Sequence, residues 1–305
     1  MSSDYVFVND VGPRDGLQNQ KVHVSAEDRV RLIKALLEAG IPGVEVASFV
    51  SPKAVPQMAG AGDIVAQFIH STAEISCLVP NQKGYELAKA AGAKIISVVP
   101  SATETMNLKN INMSLEETLS VSCDILRQAR ADGLTAQAYV AVAVECPYEG
   151  KVAISQVMNV AQKLWDAGAE KLIMADTIGA ANPQQIRALF KAANSLFPAD
   201  KLAVHLHDTR AMALANTFAA LEEGIRHFDA SIGGLGGCPF APGAAGNLAT
   251  EDLVGMLHQM GLRTGVNLDS LLKVSDLAGT LVEKGIGGRM KTWLLKNGGS
   301  LLAAQ

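Results

Sequence analysis

Eight short apolar runs recur along the chain, and the segments between them have the spacing of amphipathic helices. A short apolar run without helical periodicity is typical of a strand that is buried on both faces. Such strands belong to parallel sheets that are covered by helices. The predicted strands are residues 6–9, 44–47, 74–79, 94–99, 136–144, 171–175, 202–206 and 227–231.

The intervening segments carry start and stop signals of helices. A serine hydroxyl at a helix start accepts a hydrogen bond from a free backbone N–H, and this predicts N-caps at Ser25, Ser114 and Ser155. Further helix starts are predicted near Pro183, Leu214 and Thr250. Glycine just past a helix end adopts the left-handed conformation without a steric clash. The predicted stops are Gly40, Gly92, Gly133, Gly168 and Gly224.

Eight strand–helix units in this order favour an α/β fold of the closed (β/α)8 type, a TIM barrel, with an open doubly wound sheet as the alternative. We expect a single catalytic domain over residues 1–305, with the barrel at about 5–260 and a helical extension at about 261–305. Residues 268–281 have helical spacing, and the glycine-rich tail from Gly285 is predicted to be loosely structured.

The composition of the chain argues against several classes of function. The chain has 305 residues, of which 49% are hydrophobic and 18% charged, so it can bury a large core. A net charge of −4 argues against a nucleic-acid partner, because no basic surplus neutralises phosphates. No apolar stretch is long enough to span a membrane, and the first residues do not resemble a signal peptide. Four widely spaced cysteines without a CxxC pair fit a reduced, cytoplasmic protein.

The seventh predicted strand ends in His205-Leu-His207. Residues i and i+2 of a strand point to the same side, so both imidazoles face one way. The carboxyl ends of barrel strands are where active sites lie. Two histidines at this spacing and place favour a metal site over the alternative of isolated structural histidines.

Charged residues also interrupt other strand ends. Arg14 and Asp15 follow the first strand in a tight turn, where the alternative is an Asp that only bonds its own backbone. Glu45 lies inside the second strand, where a carboxylate is costly unless it is paired, and Arg14 is the expected partner. Asp176 ends the sixth strand, either as an active-site acid or as a structural cap.

The eighth strand leads into a glycine-rich segment that contains Cys238 and Asn247. A dinucleotide fingerprint fails because Pro239 stands where the third glycine belongs, and a phosphate loop lacks its Lys-Ser/Thr pair. A flexible linker is the plain alternative. We interpret the segment as a closing loop that brings Cys238 to a substrate.

Oxygen and nitrogen donors for a metal are available from Asp15, His205 and His207. Asn247 is a candidate for a fourth ligand. With water or substrate oxygens they would complete a six-coordinate site, which suits Mg²⁺ or Mn²⁺ better than a structural Zn²⁺. Open positions would accept a chelating hydroxy acid or keto acid, with the metal as a Lewis acid.

The sequence around these residues resembles that of the 3-hydroxy-3-methylglutaryl-CoA lyase family of metal-dependent barrel enzymes. The resemblance spans residues 5–260. It rests on four motifs besides Glu45, namely Val11-Gly-Pro-Arg-Asp-Gly-Leu-Gln-Asn19, His205-Leu-His-Asp-Thr209, Gly234-Leu-Gly-Gly-Cys-Pro239 and Gly246-Asn-Leu-Ala-Thr-Glu-Asp252. It implies cleavage of 3-hydroxy-3-methylglutaryl-CoA, an acyl-CoA thioester, into acetyl-CoA and acetoacetate, and it implies a homodimer.

The resemblance also implies a role for each site residue. Asp15, His205, His207 and Asn247 resemble the metal ligands. Arg14 resembles the residue that stabilises the enolate, and Glu45 the acid that supports Arg14. Cys238 resembles the thiol that handles a proton on the acetyl-CoA fragment, and Asp176 an acid that helps to deprotonate the alcohol.

Three stretches depart from the family pattern: residues 172–175, the segment Asp208-Thr-Arg-Ala-Met212, and Phe240. These departures leave the identity of the substrate's acyl group more open than the type of reaction. The alternatives are a lyase for citramalyl-CoA or a longer-chain 3-hydroxy-3-alkyl acyl-CoA, a Claisen-condensing enzyme of the same barrel group, and a non-catalytic acyl-CoA-binding barrel.

Overall fold

Eight parallel strands close into a barrel in the computed structural model, which describes residues 4–237 and 246–296. Each strand pairs with the next along the chain, and the last pairs with the first. This confirms the predicted (β/α)8 barrel and rules out the open sheet. The strands are β1 Phe7–Asp10, β2 Gly43–Ser48, β3 Glu74–Leu78, β4 Ile95–Val98, β5 Thr135–Val140, β6 Lys171–Asp176, β7 Leu202–Leu206 and β8 His227–Ala230.

Helices surround the barrel, and their apolar faces supply most of the core against the strands. A small antiparallel hairpin, Glu145–Cys146 with Gly150–Lys151, follows β5. The helices are α1 Ala26–Glu38, α2 Ala61–Ala66, α3 Gln82–Ala90, α4 Glu104–Ile111, α5 Leu115–Ala131, α6 Ile154–Asp166, α7 Pro183–Asn194, α8 Ala213–Glu222, α9 Thr250–Gln259, α10 Leu268–Leu281 and α11 Arg289–Lys296.

Two of the three predicted serine caps are confirmed. The Ser25 side chain accepts a hydrogen bond from the backbone N–H of Asp28, and Ser114 forms a reciprocal capping box with Glu117. The prediction for Ser155 is wrong, because α6 begins at Ile154, two residues before the start that a cap at Ser155 would give. Its N-cap is Ala153, which has no capping side chain, and Ser155 lies within the first helical turn.

The chain continues past the barrel into two additional helices. The helical spacing of residues 268–281 is confirmed by α10, which packs against α1 and α9. The predicted loose tail is wrong over Arg289–Lys296, where α11 packs against α9. The Asp252 carboxylate accepts hydrogen bonds from the backbone N–H groups of Arg289 and Met290. This cap lies far upstream in sequence, so the tail itself carries no start signal.

Within the described part of the chain, none of the helices combines the length and the apolar character that crossing a membrane requires.

Candidate active site

Arg14 and Asp15 lie in a single π-type helical turn, Gly12–Gly16, that directly follows β1. The backbone of this turn is anchored by Asp10, whose Oδ1 accepts a hydrogen bond from the N–H of Gly12 at 2.8 Å. A Cβ at position 12 would lie 2.7 Å from the same oxygen, so only glycine allows this approach. The turn therefore holds two adjacent charged side chains at the carboxyl end of the barrel.

Arg14 joins two carboxylates within the barrel mouth. Its Nε donates to Oε2 of buried Glu45 on β2, and its Nη1 donates to Oδ1 of Asp15 at 2.6 Å. Burial opposes the charge of Arg14, but the two carboxylates outweigh it and keep the guanidinium pKa above its usual range. Burial also raises the pKa of Glu45, against the lowering effect of Arg14. The predicted Arg14–Glu45 pairing is therefore present in the structure.

The two histidines of β7 and the segment after it lie beside this cation. The His205 and His207 rings have centroids 5.2 Å apart. One potential ligand atom from each of Asp15, His205 and His207 lies within 4.8 Å of the others. Burial and neighbouring His205 lower the pKa of His207 to about 4, so its imidazole is neutral at physiological pH. Neutral imidazole is the form that binds metals.

Asp15 has the charge that a metal ligand needs. Burial raises its pKa, but Arg14 and the two histidines outweigh this effect and lower the pKa to about 2. Its Oδ2 lies 3.9 Å from Nε2 of His207. A carboxylate that stays ionised and faces two imidazoles is a suitable site for a divalent cation.

Asn247, at the end of the glycine-rich segment, lies next to Asp15. Its Nδ2 donates to Oδ2 of Asp15 at 2.8 Å and to the carbonyl of Leu235 at 3.0 Å. Among the described residues, neither Oδ1 of Asn247 nor Nδ1 of His207 has a hydrogen-bond partner, although both atoms are buried. Buried polar atoms without partners are costly. A bound cation that takes Asn247 Oδ1 as a ligand would relieve one of these costs, and the mixed oxygen and nitrogen donors suit a divalent metal.

Three further residues, which the sequence did not reveal, support His205 from inside the barrel. Oδ2 of Asp229 on β8 lies 3.1 Å from Nδ1 of His205 and accepts a hydrogen bond from the Tyr139 hydroxyl at 2.8 Å. Oδ1 of Asp229 accepts from Nδ2 of Asn9 at 2.9 Å. Asp229 carried the same signal as Glu45, a carboxylate inside an apolar strand. Tyr139 and Asn9 carried none.

A cavity of about 170 Å³ opens at this end of the barrel. Arg14, Asp15, Tyr139, His205 and His207 line its polar side. The ends of β3 and β4 and the α4–α5 region also line the cavity. They contribute the apolar side chains of Leu78, Val79, Val99, Met106, Ile111 and Met113, together with the polar side chains of Asn110, Thr118 and Ser122. The cavity can therefore hold a ligand that has both a metal-chelating end and an apolar portion.

The contacts of Asp176 differ from those of the other predicted site residues. Its two carboxylate oxygens accept hydrogen bonds from the backbone N–H groups of Ala180 and Ala181, at 2.9 and 3.1 Å. Its neighbours Ala175 and Thr177 line the cavity, whereas Asp176 does not. These contacts favour the structural alternative, a carboxylate that holds the turn after β6. Burial nevertheless raises its pKa.

Cys238 lies outside the described residues. The residue before it, Gly237, lines the cavity, and its carbonyl accepts a hydrogen bond from Nδ2 of Asn19 at 3.2 Å. Farther back, the N–H of Gly233 donates to Oε2 of buried Glu251 at 2.9 Å. The described start of the glycine-rich segment is thus fixed against the cavity.

Fold and site together define a (β/α)8-barrel enzyme with a metal-binding group and an adjacent arginine in one cavity. The HMGL-like family model matches residues 6–278. Mouse mitochondrial hydroxymethylglutaryl-CoA lyase is 46% identical over 273 residues, which cover 89% of this chain and 84% of the relative. The chain belongs to the HMGL-like family.

Solved structures agree with this assignment. The HMG-CoA lyase of Bacillus subtilis matches with a TM-score of 0.92 and 41% identity, covering 96% of this chain and 98% of that one. An HMG-CoA lyase of Acinetobacter baumannii, solved in complex with coenzyme A and 3-methylmalate, matches with a TM-score of 0.92 and 36% identity, covering 98% and 96%.

Proposed function

We propose that this protein is a carbon–carbon lyase that cleaves 3-hydroxy-3-methylglutaryl-CoA into acetyl-CoA and acetoacetate with a divalent cation, Mg²⁺ or Mn²⁺. The observation that carries the proposal is the contact between Arg14 and Asp15 in one cavity with His205 and His207. This arrangement places a fixed cation next to a metal site. A retro-Claisen cleavage needs both, because negative charge moves from an alkoxide to a thioester enolate.

Each residue of the site would have a separate role in the reaction. Asp15, His205, His207 and Asn247 would hold the cation, which would supply Lewis-acid stabilisation of negative charge on the substrate oxygen. Arg14 lines the same cavity and would stabilise the developing enolate. Glu45, which is fully buried, would keep the guanidinium in place through its Nε hydrogen bond.

Two proton transfers complete the reaction. We assign protonation of the enolate carbon to Cys238, because a thiol with a reference pKa of about 8.5 is mostly protonated at neutral pH. For removal of the hydroxyl proton we retain Asp176 or a water held by a histidine. The raised pKa of Asp176 supports its role as a base, whereas its two backbone hydrogen bonds favour a structural role.

A related substrate is the second candidate. The apolar part of the cavity lining, which includes Met106, Ile111 and Met113, could accommodate a 3-alkyl group larger than methyl. Methionine side chains adapt to different shapes, which favours such tolerance. A lyase for a longer 3-hydroxy-3-alkyl acyl-CoA, or for citramalyl-CoA, would use the same polar residues. A condensing enzyme would also use them, but the Cys238 segment favours a lyase.

A panel of thioesters tests the proposal. Steady-state kcat/KM would be measured for 3-hydroxy-3-methylglutaryl-CoA, citramalyl-CoA and a 3-hydroxy-3-alkylglutaryl-CoA with a longer chain. The proposal expects the highest value for 3-hydroxy-3-methylglutaryl-CoA, with ketone release that needs no added keto acid. A higher value for another thioester would replace the substrate assignment. Dependence on an added keto acid would indicate a condensing enzyme.

Assembly and location are further proposals. We propose a homodimer and a cytoplasmic location, both from the family resemblance and the reduced-thiol composition. Sedimentation equilibrium at several protein concentrations would test the dimer.

A further inference from the structure

We infer that Asp229 is a positioning residue that fixes His205 as a metal ligand through a carboxylate shared with Tyr139 and Asn9. The inference rests on the proposed metal site. It concerns how that site is built from inside the barrel, below the ligands themselves.

Asp229 is the centre of a hydrogen-bond network inside the barrel. Its carboxylate meets three groups: the amide of Asn9, the hydroxyl of Tyr139 and the Nδ1 of His205, at 2.9, 2.8 and 3.1 Å. Asn9 and Tyr139 both donate. Because a carboxylate oxygen accepts these hydrogen bonds, the remaining contact places a proton on Nδ1 of His205. When the ring is neutral, which is the form that binds a metal, the lone pair is on Nε2.

The tautomer of His205 determines which ring nitrogen is available to bind a metal. A histidine that binds a metal through one nitrogen commonly donates its other N–H to a carboxylate, which fixes the tautomer and the orientation of the ring. Asp229 holds Nδ1–H in this way. We therefore assign Nε2 of His205 as the ligand atom for the cation that Asp15 and His207 would share.

The register of the strands brings these residues together. Asn9 on β1 pairs with Asp229 on β8, and Asp229 pairs with His205 on β7. The three residues form one row across neighbouring parallel strands, and Tyr139 reaches this row from β5. Tyr139, His205 and Asp229 are buried and Asn9 is half-buried, so solvent does not compete strongly with the contacts. Side chains placed by a closed sheet lose little further freedom on binding a metal.

The surroundings of His207 differ from those of His205. Its Nδ1 has no hydrogen-bond partner among the described residues, although the atom is buried. Asp229 therefore supports one of the two histidines and not the other. We expect His205 to be the ligand whose orientation is already set before metal arrives.

The test is a Mn²⁺ titration by calorimetry of the wild-type protein, Asp229→Asn and a control, Ser97→Ala. Ser97 is buried on β4 and accepts a hydrogen bond from Gln137 at 2.9 Å, so its loss perturbs a polar pair of the same barrel interior away from His205. Asp229→Asn is expected to weaken Mn²⁺ binding about 10- to 100-fold. Ser97→Ala should leave the Mn²⁺ affinity unchanged, even where it lowers the melting temperature.

A coupled variant separates positioning from general destabilisation. Tyr139→Phe keeps the ring and removes one hydrogen bond to Asp229. If Tyr139 acts through Asp229, its substitution should weaken Mn²⁺ binding in the wild-type background and have little effect in Asp229→Asn. Equal effects in both backgrounds would show that Tyr139 acts separately and would contradict the shared network.

A second measurement does not depend on whether the Asp229 variants fold. Histidine labelled with ¹⁵N reports the tautomer of each of the six histidines in the metal-free protein, and His205→Gln identifies the His205 signals. The Nδ1–H tautomer is expected for His205, and an Nε2–H tautomer would overturn the inference. Unchanged Mn²⁺ affinity in Asp229→Asn would overturn it as well. If the wild type itself binds no Mn²⁺, the proposed metal site fails and the inference falls with it.

Discussion

Nη1 of Arg14 lies 2.6 Å from Oδ1 of Asp15, although the two residues are adjacent in sequence. In a strand, neighbouring side chains point to opposite faces, so this contact depends on the π-type turn Gly12–Gly16. The turn holds the guanidinium of Arg14 directly against the carboxylate of Asp15. In the proposed mechanism, this one residue pair would link stabilisation of the enolate to binding of the metal.

Replacing Arg14 by lysine tests this linkage. An ammonium keeps the charge but cannot donate to Glu45 and Asp15 through two separate nitrogens. We expect Arg14→Lys to lower kcat about 100- to 1,000-fold, comparable to the loss of a donor to a developing oxyanion. Mn²⁺ affinity measured by calorimetry should stay within a few-fold of wild type. Turnover close to the wild-type rate would remove Arg14 from the chemical step.

Glu45 should matter for stability as well as activity. It is fully buried, and its removal leaves the guanidinium with one carboxylate fewer in the interior. We expect Glu45→Ala to lower the free energy of unfolding by about 3 kcal/mol, measured by urea denaturation of the metal-free protein. Glu222→Ala is the matched control, because Glu222 pairs with Arg187 on the exposed surface and should cost under about 1 kcal/mol. Similar losses for both variants would contradict the account.

Asp10 predicts a pH dependence of stability. It is buried beneath the Arg14 turn, where it contacts the N–H of Gly12 and the hydroxyl of Thr250, and burial raises its pKa to about 7. The folded protein thus holds this proton more tightly than the unfolded chain, in which an Asp has a pKa of about 3.9. The resulting stability is complete below about pH 4 and is lost as the pH rises through about 7, by at most about 1.4 kcal/mol per pH unit.

The variant Asp10→Asn isolates this contribution. An amide can accept from Gly12 and donate to Thr250, so the contacts persist while the titration disappears. Urea unfolding of the metal-free proteins at pH 5 and pH 8 provides the measurement. Wild type should lose more stability than Asp10→Asn between these two values. The same loss in both proteins would mean that Asp10 does not titrate in this window.

Cys238 carries the proposed proton for the enolate carbon. We expect Cys238→Ser to reduce kcat strongly, because a hydroxyl is a far weaker acid than a thiol, while Mn²⁺ affinity stays unchanged. Cys77→Ser provides a control, since Cys77 is buried in β3 and does not line the cavity. Near-normal turnover of Cys238→Ser would exclude the thiol from the mechanism.

The sequence predicted what depends on local pattern. Apolar runs located the eight strands, and the rule that i and i+2 share a face placed His205 and His207 together. Glu45 and Arg14 could be paired in advance because a carboxylate inside a buried strand requires a partner. All three arguments use only short stretches of chain and general rules about burial.

What the sequence did not predict depends on contacts between distant segments. Tyr139 and Asn9 converge on Asp229 only because the barrel closes and sets the register of β1 against β8. Helix α11 begins where the Asp252 side chain caps it, and that residue lies on α9. Asp176 could not be assigned between an acid and a cap until its backbone partners in the following turn were known.

The most direct test of the account is product analysis with 3-hydroxy-3-methylglutaryl-CoA before and after removal of divalent metal. The account predicts acetyl-CoA and acetoacetate in equal amounts, loss of both when EDTA is present, and recovery when Mn²⁺ is added in excess. His207→Ala, which removes a proposed ligand, should need far more Mn²⁺ for the same rate. Cleavage that continues undiminished in EDTA, or a lack of these two products with saturating Mn²⁺, would contradict the central claim.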